Sequence, residues 1–159
     1  MERGKPTISY PNALLLGEAR DLFLAGNGLR IEDYGASTFT IGFWGVQLKF
    51  PNTEARKRVV PLHDLHHVLT GYGADWAGEA EIGAWELRAG CDSLVAYVLN
   101  GGGVLIGLFL CPRRVWLAFR AAKGQRTLYG DSVEYDAILR RTVGEVRKRL
   151  GIPPNGNCC

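Results

Sequence analysis

From Ser93 to Cys111 the chain carries no charged residue. Six apolar positions, Leu94 to Leu99, lead into Asn100 and Gly101-Gly102-Gly103, and a second apolar run follows from Val104 to Leu110. No other feature limits the fold as much. A stretch this apolar must be covered by protein or by lipid, and its length reaches the ~18 residues of a membrane-spanning helix. Three consecutive glycines at its middle argue against a span, because each weakens a helix by roughly 1 kcal/mol relative to alanine. The expectation is two buried half-segments joined at Gly101–Gly103.

The rest of the chain reads as globular. Its 159 residues suit one domain at roughly 100–200 residues each. A hydrophobic fraction of 47% with 22% charged residues excludes disorder. The net charge of +3 is too weak to argue for nucleic acid. Cys91, Cys111, Cys158 and Cys159 lack metal-knuckle spacing, so a reduced, cytoplasmic chain is expected. Met1 to Pro6 shows no apolar targeting run. Cys158-Cys159 resembles a double-prenylation end, but such ends are read on small GTPases and no phosphate loop accompanies this one.

Helical periodicity predicts a mainly α, single-domain bundle with a short extended or hairpin segment near residues 38–50. A helix over about 13–25 is capped by Asn12. A turn at Arg56-Lys57-Arg58 precedes a helix opened by Pro61 and stopped after Thr70 by Gly71. The next runs from Trp76 to Ala89 between the Asp75 cap and Gly90. Another starts at Pro112 and ends near Lys123. A last helix follows the capping-box-like pair Asp131 and Glu134, with a stripe from Tyr135 to Leu150, and stops at Gly151 and Pro153. Phe39, Ile41 and Phe43 alternate with polar or small residues; the parity then switches to Trp44, Val46, Leu48 and Phe50, which predicts a bend between Gly42 and Gly45. Residues 1–55 are read as a helix plus this extended segment within the same domain, 56–153 as the helical core, and 154–159 as a tail.

All three histidines fall in His63-Asp64-Leu65-His66-His67. At about 100° per residue, His63, Asp64 and His67 share an arc of about 100°, and His66 lies on the other side. Histidines at i and i+4 are the spacing by which helices present metal ligands. Eleven residues later comes Glu79. On one continuous helix it would lie ~18 Å beyond His67, but Gly71, Gly73 and the Asp75 cap let the chain fold back. Glu86 shares the face of Glu79. The alternative is that these are hydrogen-bonded core histidines and an ordinary first-turn acid.

His63-Asp64-x-x-His67 followed after eleven residues by Glu79 resembles the signature of the ubiquinone (coenzyme Q) biosynthesis protein 4 family. The neighbouring Leu62 to Tyr72, Gly78-Glu79 and Trp85-Glu86-Leu87 are similar to it, as is the end, Gly144-Glu145-Val146-Arg147 and Leu150-Gly151-Ile152-Pro153. The likeness covers about residues 56–153. It implies a helical fold and a divalent metal (zinc, or else iron, cobalt or magnesium) on His63, Asp64, His67 and Glu79, which would also be the catalytic residues. His66 and Glu86 would stand behind them. The implied activity is that of a metal-dependent decarboxylase, a lyase removing the C1 carboxylate of a prenylated hydroxybenzoate oxidatively, with hydroxylation. It further implies a prenylated aromatic or prenyl phosphate as ligand, peripheral contact with the inner face of a membrane, and a homodimer or a biosynthetic complex. Leu94, Val98, Val104 and Leu108 are the expected lipid-binding walls. Two other readings are a non-catalytic prenyl-lipid scaffold and a zinc-dependent hydrolase; in the latter, Asp64 replaces the glutamate that would act as general base.

Overall fold

A computed structural model describes residues 9–43, 46–132 and 134–157, without the side chains of residues 41–43, 46 and 48. The readings of Met1–Pro6, of Trp44 and Gly45, and of Cys158-Cys159 lie outside the described residues. The chain is mainly helical. Helix α1 spans Leu16–Asn27, and a 3-10 turn covers Ile31–Gly35. Strands β1, Thr38–Phe43, and β2, Val46–Pro51, pair antiparallel from Thr38–Pro51 to Phe43–Val46. Then come α2, Glu54–Thr70; α3, Trp76–Ala89; α4, Leu94–Leu110; α5, Pro112–Ala121; α6, Tyr135–Leu139; and α7, Val143–Leu150. Helix α3 sits at the centre, packed on α4 and α5, while α2 packs on α1.

Helix α3 has the predicted bounds and caps: the Asp75 carboxylate accepts the Gly78 N–H at 2.8 Å. Three expectations are corrected. First, α2 is a single helix that passes through Pro61, capped by Thr53. Proline costs it the bond to the Lys57 carbonyl, and burial of the whole C-terminal half, Asp64 to Thr70, outweighs that loss. Second, the last helix is two, because Leu15 and Thr142 form an isolated β-bridge. The bridge needs extended backbone at Thr142, which then caps α7 through Glu145. Helix α6 instead opens from Glu134, which makes no side-chain cap bond. Third, α4 continues through its glycines. Its packed face is Ala96, Asn100 and Gly107, spaced for one side of a helix. A Cβ on Gly107 would stand 2.2 Å from the Cβ of Ala80, so this glycine permits the close approach of α4 to α3. The outer face is not buried as expected: Leu94, Val98, Leu105, Phe109 and Leu110 are exposed. No helix among the described residues is long and apolar enough to cross a membrane.

The segments at Tyr10–Asn12 and Pro154 are tied to α2 by one cation. Arg147, on α7, is 1% exposed. Its guanidinium donates to the carbonyls of Leu69, Val68, Tyr10 and Pro154 and to Asn12 Oδ1. The segment read as a tail is therefore anchored as far as Asn157, whose N–H reaches the Thr70 carbonyl at 2.7 Å. Each buried carbonyl left without a donor costs about 1–3 kcal/mol. Arg147→Met should destabilise the fold by more than ~3 kcal/mol, and Arg147→Lys should recover only part of this, since an ammonium cannot fan out to as many acceptors. Urea unfolding of the three proteins checks it; a lysine variant as stable as the parent would contradict it.

Candidate metal centre

The face of α2 that carries His63 and His67 is set opposite α3 by the turn at residues 71–75. That turn is tight: a Cβ on Gly78 would lie 1.9 Å from the Gly73 carbonyl oxygen. Only glycine can stand there, immediately before Glu79, so the turn itself delivers Glu79 to the histidines. Ligand atoms of His63, His67 and Glu79 all lie within 4.8 Å of one another. His63 Nε2 is 3.1 Å from His67 Nε2 and 3.3 Å from Glu79 Oε2. His67 Nε2 is 3.5 Å from Glu79 Oε1.

Hydrogen bonds on the far side of each ring decide what those nitrogens present. His67 Nδ1 faces the Tyr72 carbonyl at 3.0 Å. A carbonyl only accepts, so Nδ1 carries the proton and Nε2 of the neutral ring is a lone pair. His63 Nδ1 faces Glu86 Oε1 at 3.0 Å, with the same consequence. Two lone pairs and a carboxylate thus converge on one point. Such an arrangement repels itself unless a cation, metal or proton, sits between its members.

Glu86 is wholly buried. It accepts from His63 Nδ1 and His66 Nδ1 through Oε1, and from Asn100 Nδ2 at 2.6 Å and the Tyr129 hydroxyl at 2.8 Å through Oε2. Burial alone would raise its pKa, but the two histidines outweigh this and hold it well below the carboxylate range. Glu79 is lowered for the same reason, by His67 and His63 against burial. His63 is desolvated, which lowers its pKa, yet Glu86 and Glu79 prevail and lift it well above the ordinary histidine value. His66 points away from the cluster, as its helical phase predicts. Its Nδ1 meets Glu86, its Nε2 accepts the Leu128 N–H at 2.9 Å, and burial pulls its pKa down.

Asp64 does not complete the group. Its Oδ2 accepts the Tyr34 hydroxyl at 2.5 Å, and the converging set is His63, His67 and Glu79. Burial raises the Asp64 pKa against His63 and Tyr34. His63, Asp64 and Glu79 open onto a cavity of about 560 Å³. Its walls come from the 3-10 turn, β1, α2 and α4, and include Tyr34, Phe39, Arg56, Val60, Leu99 and Gly103. The expected walls lie elsewhere. Leu94, Val98 and Leu108 face outward, and Val104 packs against the core. Because α4 is one helix, its phase turns Leu99, Asn100 and Gly103 to the cavity instead.

Sequence reasoning did not single out Tyr34, Arg56, Asn100 or Tyr129. Asn100, a lone amide inside an apolar run, was the one with a legible signal, since a buried amide needs a partner. No protein-family profile, no curated protein and no solved structure matches the chain.

His66→Ala should leave metal content unchanged while costing about 1–3 kcal/mol through the orphaned Leu128 N–H; His67→Ala should remove most of the metal. Elemental analysis beside thermal melts separates the two, and loss of metal from the His66 variant alone would reverse the assignment. A second outcome concerns pH. A metal must displace the proton that the two glutamates hold on His63, whose pKa is raised. Zinc affinity should therefore keep rising with pH above ~6.5, the unperturbed histidine value. A dissociation constant that is flat from pH 6.5 upward would contradict this.

Proposed function

We propose that the protein binds a divalent metal, zinc or else iron, cobalt or magnesium, on His63, His67 and Glu79, and acts there on a prenylated aromatic acid. The reaction is the oxidative removal of the C1 carboxylate of a prenylated hydroxybenzoate, with hydroxylation at that carbon: the C1–carboxylate bond breaks and releases CO₂, one atom of dioxygen forms the new C1–O bond, and the other leaves as water with two protons and two electrons from an external reductant. The observation that carries the metal is the pair of Nε2 lone pairs held 3.1 Å apart by acceptors on the far side of each ring. Three protein ligands with open positions suit zinc as a Lewis acid and equally suit iron. Such an ion, when bound, stabilises negative charge on carboxylate or phenolate oxygens.

The chain's own residues do the rest. Glu86 and the Tyr72 carbonyl fix both rings, which pre-orients the donors. Asp64, with its Tyr34 partner, faces the cavity next to His63 and is placed to hold or pass a proton. Phe39, Val60 and Leu99 offer the apolar body of a substrate a dry surface, at about 0.8 kcal/mol per buried CH₂. Peripheral contact with a lipid surface belongs to the same reading. It is supported by the exposed Leu94, Val98, Leu105 and Phe109 of α4 with Arg113 and Arg120 beyond its end, an arrangement that suits anionic lipid. A non-catalytic lipid scaffold would use the same cavity without turnover.

Metal analysis and lipid mass spectrometry on one purified sample test the reading. A stoichiometric divalent ion and a co-purifying prenylated aromatic are expected. Leu99→Trp should lose the lipid and keep the metal. A metal-loaded protein that neither carries nor converts a prenylated aromatic would overturn the substrate, and full metal retention in a His63→Ala, His67→Ala double variant would overturn the metal site.

A further inference from the structure

The cavity contains a cation that, among the described residues, has no carboxylate in salt-bridge contact. Arg56 lies two helical turns before His63 on α2, at i, i+4, i+7 with Val60 and His63, so it shares their face. Its guanidinium lies 3.6 Å from the centre of the Phe39 ring. Its Nη1 donates to Asn52 Oδ1 at 3.1 Å. Asn52 is in turn fixed, because its own amide donates to the carbonyls of Ala36 and Tyr34. Arg56 Nε is buried and has no partner among the described residues. Other partly buried arginines are provided for: Arg20 holds Asp21, Arg114 holds Glu81, Arg149 holds Asp131, and Arg147 has five oxygens. Burial works against the Arg56 charge and outweighs the nearby Asp64, which favours it.

The acids in the same cavity are engaged elsewhere. Asp64 takes the Tyr34 hydroxyl, Glu79 faces the two histidines, and Asp33 accepts the Arg30 N–H. A half-buried cation braced in one orientation, with an aromatic ring on one side and a donor left over, is the setting in which an arginine recognises a planar anion.

We propose that Arg56 is the specificity-determining residue of this cavity, selecting ligands that carry a carboxylate on an apolar, aromatic body. The inference rests on the reading of the cavity as the ligand site and adds what chooses the ligand. With the carboxylate on Arg56, the body lies along Phe39 and Val60. Val60 and His63 follow Arg56 on the same face of the helix, so the cavity continues from Arg56 toward His63 and Glu79.

The test uses 4-butoxybenzoate and its neutral analogue 4-butoxybenzamide as probes, with the full chain, first free of metal and then with zinc. Titration calorimetry should show the metal-free parent preferring the acid by at least about tenfold. Arg56→Met should abolish the preference, and Arg56→Lys should keep part of it. Equal binding of the two probes by the parent, or an undiminished preference in Arg56→Met, would overturn the proposal. The parent comparison and the lysine variant decide the matter even if the methionine variant does not fold. Zinc content read on the same samples separates the two ideas. A parent that takes no zinc but keeps the Arg56-dependent preference overturns the metal reading and supports this one. Zinc binding without any preference for the acid does the reverse.

Discussion

A carboxylate with no access to solvent is the constraint on which the site depends. An unpaired buried charge costs several kcal/mol, so Glu86 is tenable only with its full set of donors. Those donors come from separate stretches of chain: His63 and His66 on α2, Asn100 on α4, and Tyr129 in the segment after α5. Each bond to Glu86 therefore also locks two segments together. The orientation of the His63 ring is one product of that lock.

The histidines and acids also depend on one another for their charge. Glu79 and Glu86 remain ionised despite burial because His63, His66 and His67 stand beside them. His63 in turn holds a proton because the acids do. Two ionised glutamates against one protonated histidine leave the cluster net negative, and the proton occupies the place a metal ion would take. The Arg147 network adds a second brace at the other end of α2, fixing the helix on which both histidines ride.

Much of this was legible in the sequence, for identifiable reasons. Helix α3 has both of its punctuation marks, Asp75 and Gly90, at the right distance. The i, i+4 histidines and the break at Gly71 and Gly73 were enough to bring Glu79 back to them. The hairpin followed from the alternation at Phe39, Ile41 and Phe43. The failures share a physical cause, namely tertiary contacts that override local preference. Gly101–Gly103 read as a hinge, but close packing against α3 keeps α4 whole, and that phase sent the apolar residues to other faces. Pro61 read as a start, but burial of the half that follows it holds α2 together as one helix. Tyr34 sits in the short 3-10 turn and Tyr129 between helices, where no α or β periodicity marks which way a side chain faces.

The cavity has walls of two different kinds. The metal-facing wall is built from α2 and α3, cross-linked through Glu86, and little there can change without loss of the fold. The opposite wall is the 3-10 turn and β1, joined to the helices through single contacts such as Tyr34 with Asp64 and Phe39 with Arg56. Residues there can be exchanged at small structural cost. A lineage built on this scaffold is therefore free to vary residues 29–40, and with them the shape of the cavity, while the cluster of His63, His67 and Glu79 is inherited intact.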